Sequence, residues 1–391
     1  MSIAVDADRS FLDGVKAVAD ELAAPNAEDV DRQARFPVEA IDALREQGAL
    51  SAFVPEEQGG AGVSFGALAE ACFELGRRCG ATGMVFAMHQ IQVVTIARHL
   101  DPGSSFEQYL ADVVAEKRLI ASVTSEMGTG GDMGRSVAAV EERGDGIVGF
   151  EKKAPTVSYG NYADDLLTTA RRAPDADPGD QVLVLTRRGE AELEQMGTWD
   201  PLGMRGTCSP GFVVRATLPA DQVMATPFSV IARESMVPVS HILWSHLWLG
   251  VATDAFDRAR AFVRAAAKQK PGETPPAAMR LSHVMSELSL LRAEVASALI
   301  EFEQASEDPE RRHMSTLAAS LRFNNLKIAA SEQAPRVCQG ALGVNGIMGF
   351  KNDSPYSVGR HLRDTMSACL MVANERIHQT NAGLLLIAKE V

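Results

Sequence analysis

Glycines, hydroxyl groups and an acid come together in residues 124–134, which read TSEMGTGGDMG. A glycine-rich turn lets the backbone come close to a ligand, and Ser125 and Thr129 place hydroxyl groups beside that turn. Such a segment can cradle phosphates, lie against a flat cofactor, or simply turn the chain. It therefore marks a candidate site and leaves the ligand open.

Cysteine and histidine do not form a metal-binding pattern. The five cysteines are scattered without a CxxC pair, and no HExxH occurs. His241 and His246 are five residues apart, which separates them by about 140° around a helix. We expect reduced, mostly buried thiols and no metal site.

Composition limits the classes of partner. The chain has 391 residues, a formal net charge of −13 and 46% hydrophobic residues, which is typical of a globular protein of two or three domains. The negative charge argues against nucleic acid or an anionic membrane as the main partner. The start of the chain lacks a basic segment followed by an apolar one, and no run of about eighteen apolar residues occurs. We expect a cytoplasmic protein with small-molecule ligands.

The elements that position the candidate site fall into three blocks. Apolar spacing of three and four predicts helices up to about residue 115, including one over residues 10–36. Short segments rich in β-branched residues follow, and Asp145-Gly146 predicts a hairpin between two of them. Long helices return from about residue 235, the last over residues 364–389. The sequence predicts an α+β multi-domain protein with an N-terminal helical domain (1–118), a middle antiparallel β-domain (119–232) and a C-terminal four-helix bundle (233–391).

This order resembles that of the acyl-CoA dehydrogenase superfamily, and five motifs match that family in sequence along nearly the whole chain. They are FPVEAIDALREQGALSAFVPEEQGGAG (36–62), SVTSEMGTGGDMG (122–134), DPLGMRGTCS (200–209), GALGVNGIMG (340–349) and GRHLRDTMSA (359–368). The resemblance implies bound FAD and an acyl thioester substrate, carried by coenzyme A or an acyl carrier protein.

The resemblance also implies roles for individual residues. The residues expected at the FAD are Ser122, Ser125, Gly130, Thr156, Ser158, Gln339, Gly343 and Asn374. The residues expected near the substrate are Gly131, Ser240 and His241. Because the family buries FAD partly between subunits, the GALGVNG turn is expected to meet a neighbour's FAD in a homodimer or homotetramer. An electron-transfer flavoprotein is one candidate for reoxidising the flavin.

The family's catalytic base is missing at both places where it is expected. In the family a carboxylate removes the α-proton of the thioester while hydride leaves the β-carbon. An alignment without gaps from Arg363-Asp364 places Val372 at the usual glutamate, and the alternative position on the first C-terminal helix is Ser240. The candidates that remain are Glu375, about one helical turn past Val372, together with His241 and His89. For each of the three, a structural role is the competing interpretation.

Four functions are compatible with this pattern. The favoured hypothesis is α,β-dehydrogenation of an acyl thioester with a displaced base. The second is a flavin-dependent monooxygenase, which needs no carboxylate base and in which His89 or His241 would assist oxygen chemistry. The third is a non-redox thioester lyase, and the fourth is a helical scaffold without flavin. The retained glycine motifs argue against the scaffold, and the missing glutamate argues against ordinary fatty-acid oxidation.

Overall fold

The computed structural model describes residues 2–308 and 313–388, so residues 1, 309–312 and 389–391 of the predicted outer domains lie outside the described residues. The N-terminal part is helical, with α1 (Ser2–Val18), α2 (Ala24–Gln33), α3 (Val38–Glu46), α4 (Phe65–Arg78), α5 (Gly80–His99) and α6 (Ser105–Ala115). The predicted single helix over residues 10–36 is interrupted by a π-helical turn, Ala19–Ala23. That turn precedes Pro25, which has no backbone N–H to continue the helical ladder.

Within the described residues seven strands follow and form two sheets. They are β1 (Ile120–Val123), β2 (Glu141–Gly144), β3 (Ile147–Ala154), β4 (Asp165–Arg171), β5 (Gln181–Arg187), β6 (Ala191–Met196) and β7 (Gly211–Pro219). One sheet has the order β1-β4-β5 and the other the order β2-β3-β7-β6. The predicted hairpin is confirmed, since Asp145 and Gly146 join β2 to β3 with φ values of 52° and 73°. The pairs are antiparallel except β1 with β4, which run parallel.

The C-terminal part is again helical, so the predicted order of helices, strands and helices is confirmed. Its helices are α7 (Phe228–Ile231), α8 (Val237–Gln269), α9 (Ala277–Ser306), α10 (Leu317–Asn345), α11 (Ile347–Phe350), α12 (Gly359–Met366) and α13 (Asn374–Leu385). Helices α8, α9 and α10 pack on one another, and α13 packs on α10. The domain boundaries at residues 118/119 and 232/233 stay predictions.

The predicted single helix over residues 364–389 is wrong. Turns occupy residues 367–373 between α12 and α13. Val372 lies in the left-handed region at φ 49°, which is strained for a β-branched side chain and incompatible with a continuing α-helix. The bundle therefore consists of three long helices and a fourth that is divided at the segment where the family's acid is expected.

Two of the sequence motifs hold each other in place. Asp364 of the GRHLRD motif accepts a hydrogen bond through Oδ1 from the backbone N–H of Met204 in the DPLGMR motif, at 2.7 Å. The neighbouring Arg363 donates to Asp31 of α2 at 2.8 Å. Burial raises the pKa of the Asp364 carboxyl to about 6. These motifs connect α12, the segment before β7 and α2, and they lie outside the candidate site.

Helices α4 and α8 approach closely at two glycines, and this packing gives the first testable prediction. A Cβ atom on Gly250 would lie 2.2 Å from the carbonyl oxygen of Phe73, and one on Gly76 would lie 2.5 Å from that of Leu247. Because backbone cannot move aside cheaply, we expect Gly250→Ala to lower the free energy of unfolding by about 3 kcal/mol in urea denaturation. Gly383→Ala in α13 is the matched control, since nothing lies within 4 Å of its Cβ position. The control is expected to be neutral or slightly stabilising, and equal losses in the two variants would contradict the packing argument.

Candidate functional site

The glycine-rich segment is a loop closed at its base by Glu126. The buried carboxylate of Glu126 accepts hydrogen bonds from the Ser136 hydroxyl at 2.6 Å and from the backbone N–H groups of Val137 and Ala138 at 3.0 and 2.6 Å. These contacts join the two ends of the loop across ten or more residues. The acid noted in the sequence therefore shapes the loop from inside and is not presented to a ligand.

A buried lysine fastens the same carboxylate to the sheets. The Nζ atom of Lys152 on β3 lies 3.4 Å from Oε2 of Glu126 and donates to the carbonyl and hydroxyl oxygens of Thr169 on β4, at 2.7 and 2.8 Å. Burial lowers the pKa of Lys152 to about 8, and Glu126 opposes that shift. The pair ties the loop to both sheets at once. The sequence analysis missed it because the two residues meet only through sheet register.

The second segment expected at the flavin lies against the first. The Ser125 hydroxyl donates to the Thr156 carbonyl at 2.6 Å, and the Met127 N–H donates to the Lys153 carbonyl at 2.8 Å. Ser158 is half-buried and accepts from the Ser209 hydroxyl at 3.0 Å. Ser122 is buried near the end of β1, three residues before Ser125. The structure thus brings Ser125 and Thr156 together at one edge of the loop, while Ser122 and Ser158 lie three and two residues from them along the chain.

The start of α13 faces the glycines of the loop. Gly130 and Gly131 have φ values of 62° and 84°, and Cβ atoms there would lie 3.3 and 3.4 Å from the guanidinium of Arg376. The absence of side chains at these two glycines lets the Arg376 guanidinium lie directly against the loop backbone. Exposed Thr156 borders the same loop. These residues fit the edge of a flavin, and Arg376 adds a cation that the sequence analysis did not identify.

Behind the Val372 segment lies a second cation, Lys327 of α10. Its fully buried ammonium donates to Oδ1 of Asn374 at 2.6 Å, and Asn374 also exchanges hydrogen bonds with the Ser331 hydroxyl at 3.1–3.2 Å. Burial lowers the pKa of Lys327 to about 8. Asn374, expected at the FAD, is thus held in place by a hydrogen bond from the buried Lys327. A lysine on the apolar face of α10 was the sequence signal that could have revealed this contact.

Two carboxylates lie near the same segment, and neither is enclosed. Glu375 is exposed in the first turn of α13, beside Arg376. Glu332 of α10 is half-buried, lies 3.4 Å from Nδ2 of Asn374 and pairs with Arg336 at 3.5 Å. Glu332 was not a sequence candidate. Both carboxylates therefore lie at the Val372 segment next to an arginine, and neither lies in an enclosed pocket.

His241 is buried and presents one free ring nitrogen. Its Nδ1 atom donates to the Phe323 carbonyl at 3.0 Å, and within the described part of the chain no hydrogen bond reaches its Nε2. Burial lowers the pKa of His241 to about 3, helped by the charge of Lys327, so the ring is neutral with a lone pair on Nε2. The adjacent Ser240 hydroxyl is bonded to the Val237 carbonyl at 2.8 Å. His241 can accept a hydrogen bond, but it is a weak base.

His89 occupies a structural position. Its Nε2 lies 2.8 Å from the Leu50 carbonyl, and its Nδ1 accepts from the Ile120 N–H at 3.0 Å. Burial lowers the pKa of His89 to about 4. Because both ring nitrogens are used by backbone groups, this histidine links the N-terminal helices to β1 and has no free atom for catalysis.

The structure does not bring Gln339 and Gly343 to the other site residues. Both are exposed near the end of α10, and Gln339 lies about 18 Å along that helix from Lys327, given a rise of about 1.5 Å per residue. Exposed Ile347 and Phe350 follow them on α11. Two cavities of about 220 and 230 Å³ lie elsewhere, since none of the predicted site residues lines them. No described helix has the length and apolar character needed to cross a bilayer.

Comparisons with known proteins agree with this architecture. Residues 6–117 match the acyl-CoA dehydrogenase N-terminal domain family. The chain is 24% identical over 362 residues to the probable acyl-CoA dehydrogenase YngJ of Bacillus subtilis, covering 90% of each chain. It is 25% identical over 378 residues to L-evernosamine nitrososynthase of Micromonospora, covering 93% of this chain and 86% of that protein.

A solved structure shows the same fold over almost the full length. KijD3 in complex with FMN and dTDP-3-amino-2,3,6-trideoxy-4-keto-3-methyl-D-glucose superposes with a TM-score of 0.81 and 25% identity, covering 98% of this chain and 95% of that one. The family match, the named relatives and the order of helices, sheets and helices all agree. Residues 6–117 therefore form an acyl-CoA dehydrogenase N-terminal domain, and the chain as a whole resembles acyl-CoA dehydrogenases and nitrososynthases in sequence and fold.

Proposed function

We propose that this protein is a flavin-dependent monooxygenase built on the acyl-CoA dehydrogenase fold. The observation that carries the proposal is the set of groups around Val372. The buried groups there are the Lys327 ammonium and the Asn374 amide, and the Arg376 guanidinium lies next to them over the glycine loop. A site lined by cations and donors stabilises negative charge, whereas α-proton abstraction needs an enclosed carboxylate.

The proposed reaction inserts one atom of O₂ into the substrate and releases the other as water, with two electrons from reduced flavin. Bound flavin would supply the electrons that activate oxygen. Lys327 and Arg376 would stabilise anionic character that develops beside the ring, and neutral His241 would accept a hydrogen bond from substrate through Nε2. The Lys327 ammonium, with a pKa of about 8, is also suited to donate a proton near neutral pH.

Residues of the loop and its neighbours would hold the flavin. Ser125 and Thr156 would meet the ring edge, and Gly130 would lie under it, which agrees with the shared edge that these segments form. FAD is the cofactor that the family resemblance implies, whereas the KijD3 complex contains FMN. Chromatography of flavin released by heating would distinguish the two.

The names of relatives support an oxygenase and suggest a substrate to test. L-evernosamine nitrososynthase and the amino sugar nitrososynthase DnmZ of Streptomyces peucetius, 25% and 24% identical to this chain, are named for chemistry on amino sugars. We therefore propose a nucleotide-linked amino sugar as the first substrate to assay. Oxygen uptake with FMN, a flavin reductase and NADH should exceed the substrate-free rate when dTDP-3-amino-3,6-dideoxyglucose is added, and equal rates with and without substrate would count against this assignment.

Dehydrogenation of an acyl thioester is the second candidate. Glu375 favours it, because this carboxylate lies in the first turn of α13, three residues past Val372 and beside the glycine loop. The carrier would be coenzyme A or an acyl carrier protein, and an electron-transfer flavoprotein would accept the electrons. Either function is compatible with a homodimer or homotetramer, in which exposed Gln339 and Gly343 would meet a second copy.

Substitution of the carboxylates separates the two candidates. We expect Glu375→Gln and Glu332→Gln to leave oxygen-dependent turnover within about threefold of the unsubstituted protein, because neither group is needed to stabilise an anion. Loss of a general base would instead lower turnover by about 10²–10⁴-fold. The measurement is kcat for each variant at saturating flavin, with flavin occupancy checked by absorbance. A loss of that size in either variant would support the dehydrogenase.

A further inference from the structure

A cavity of about 230 Å³ lies where the chain passes from one sheet to the other, between β5 and β6. Leu166 of β4 and Thr186 of β5 line it from the first sheet, and Ala191 and Leu193 of β6 line it from the second. Ala163, just before β4, completes the apolar part of the wall. The cavity is separate from the candidate flavin site, since none of the residues predicted at that site lines it.

Thr186 places a hydroxyl group in this cavity that no described protein group satisfies. The residue is 1% exposed, and its Oγ1 atom has no hydrogen-bond partner among the described residues. Thr186 lies opposite Leu166 in the register of β4 and β5, and cross-strand partners point to the same face of a sheet. Because both residues line the cavity, the hydroxyl faces its interior. An unpartnered buried hydroxyl is unfavourable, so this atom requires a partner from the cavity.

Arg188 provides a cation at the mouth of the cavity. Its backbone N–H donates to Oδ1 of buried Asp165 at 3.0 Å, whereas its side chain is 68% exposed. Among the described residues, the guanidinium makes long contacts, 3.5 Å to the Ala163 carbonyl oxygen and 3.8 Å to Oδ1 of Asp164. The backbone of Arg188 is therefore fixed beside the cavity, while donors of its guanidinium stay available for a ligand.

The acidic residue in the wall does not neutralise this cation. Oδ2 of Asp164 accepts a hydrogen bond from Arg45 at 2.7 Å, so this carboxylate faces the guanidinium groups of both Arg45 and Arg188. Arg187 also lines the cavity, but its guanidinium pairs with Asp112 at 2.7 Å. Positive charge therefore remains beside Arg188, and it favours an anionic group of a ligand there.

We infer that this cavity binds a short aliphatic carboxylate that carries a second oxygen on its chain. The carboxylate pairs with Arg188, whose planar fork of donors matches two carboxylate oxygens. The second oxygen bonds to the Thr186 hydroxyl, and the carbons between the two groups lie against Leu166 and Leu193. Thr186 and Arg188 are two residues apart, about 7 Å at the spacing of an extended strand, which selects a chain of about four or five carbons.

The size of the cavity agrees with such a ligand, since its volume equals that of about seven waters. A bare inorganic anion would leave the apolar wall uncovered, and a longer apolar chain would leave Thr186 without a partner. The site goes beyond the proposed function and does not rest on it, because binding there requires neither flavin nor oxygen.

The probe is 4-oxopentanoate, and two matched molecules each lack one of its groups. Pentanoate lacks the oxo group, and 2-pentanone has a methyl group in place of the carboxylate. Saturation-transfer NMR of these molecules with the full-length protein gives their dissociation constants, and inorganic phosphate is tested as a competitor. We expect a Kd on the order of 1 mM for 4-oxopentanoate. Pentanoate and 2-pentanone should each bind about tenfold more weakly, the loss of one polar contact.

Substitutions locate the bound molecule. Arg188→Gln should weaken the binding of both carboxylates about tenfold, and Thr186→Val should reduce the affinity for 4-oxopentanoate to that for pentanoate. Arg172→Gln is the matched control, because exposed Arg172 pairs with Asp180 at 3.2 Å and does not line the cavity. The control should leave every affinity unchanged. Urea denaturation gives a second readout: Thr186→Val should keep or raise the free energy of unfolding, because its hydroxyl has no protein partner to lose.

Equal affinities for 4-oxopentanoate and pentanoate, or displacement of 4-oxopentanoate by an equal concentration of phosphate, would overturn the inference. Binding that is unchanged in both Arg188→Gln and Thr186→Val would also overturn it, since the ligand would then lie elsewhere. A loss of stability in Thr186→Val would show that ordered water satisfies the hydroxyl, which again contradicts the inference. Binding as expected without oxygen uptake in the assay for monooxygenation would count against the proposed function and leave this inference standing.

Discussion

Glu126→Ala is expected to lower the free energy of unfolding by about 3–5 kcal/mol, the largest effect of any single substitution considered for this protein. The Glu126 carboxylate is buried beside Lys152, which is also buried. Removing the carboxylate leaves the Lys152 ammonium buried without a counter-charge, which is strongly destabilising. The same change removes three hydrogen bonds from Ser136, Val137 and Ala138 that close the glycine loop. Chemical denaturation measures the first effect, and flavin affinity measures the second.

Removing both charges separates these contributions. In the double variant Glu126→Leu with Lys152→Met no buried charge remains, so most of the lost stability should return, as for other buried ion pairs replaced by apolar side chains. The loop would still lack its closing hydrogen bonds, so flavin should continue to bind at least tenfold more weakly than to the unsubstituted protein. Recovery of full flavin affinity in the double variant would show that Glu126 has no part in shaping the loop.

The combined titration of His89, His241, His246 and Asp364 is expected to destabilise the fold by about 4–5 kcal/mol between pH 7 and pH 5. Burial lowers the pKa of His89 and His246 to about 4 and that of His241 to about 3, and each ring is bonded only to backbone groups. Below pH 6.5 the unfolded chain binds protons that the folded chain excludes, so stability present above that pH is lost as pH falls. Each imidazole contributes about 2 kcal/mol at pH 5, and Asp364, whose pKa is raised to about 6, opposes them by about 1 kcal/mol.

Urea denaturation at the two pH values tests this expectation. His246→Phe removes one titrating ring whose only hydrogen bond is to the Ile242 carbonyl of its own helix. That variant should lose stability at pH 7 but show a pH-dependent drop smaller by about 2 kcal/mol. A stability that is constant between pH 7 and pH 5 would mean that the buried histidines are already accessible to protons.

The architecture could be predicted from the sequence because it depends on local signals. Apolar periodicity predicts the long helices α8 and α10. The Asp-Gly pair predicts the hairpin because both residue types tolerate the positive φ values that Asp145 and Gly146 adopt. The break before α13 could not be predicted in the same way. Nothing in the composition of residues 367–373 disfavours a helix, and the break depends on the positive φ at Val372, which the residue types of the segment do not signal. Both α12 and α13 pack on α10.

The candidate site likewise contains a part that local sequence motifs predict and a part that depends on contacts between distant residues. Segments expected at the flavin lie together because short motifs carry them, as with Ser125 and Thr156. The contacts between Lys152 and Glu126, and between Arg376 and the glycine loop, join residues far apart in the chain, so they depend on sheet register and helix placement. The competing interpretation of His89 illustrates the limit: its residue type suggested chemistry, but the backbone groups at both ring nitrogens exist only in the folded chain.

The choice between oxygenation and dehydrogenation is tested most directly by isotope labelling. In the first sample, flavin-loaded protein is reduced and mixed with dTDP-3-amino-3,6-dideoxyglucose under ¹⁸O₂, and the product is analysed by mass spectrometry. In a parallel anaerobic sample, oxidised protein is mixed with saturated acyl-CoA thioesters, and the flavin absorption spectrum is recorded. The cationic surroundings of Val372, with Lys327 and Arg376, predict one ¹⁸O atom in the sugar product and an unchanged flavin spectrum with every thioester. An unlabelled sugar together with bleaching of the flavin by any saturated thioester would contradict the proposal and establish a dehydrogenase with a displaced base.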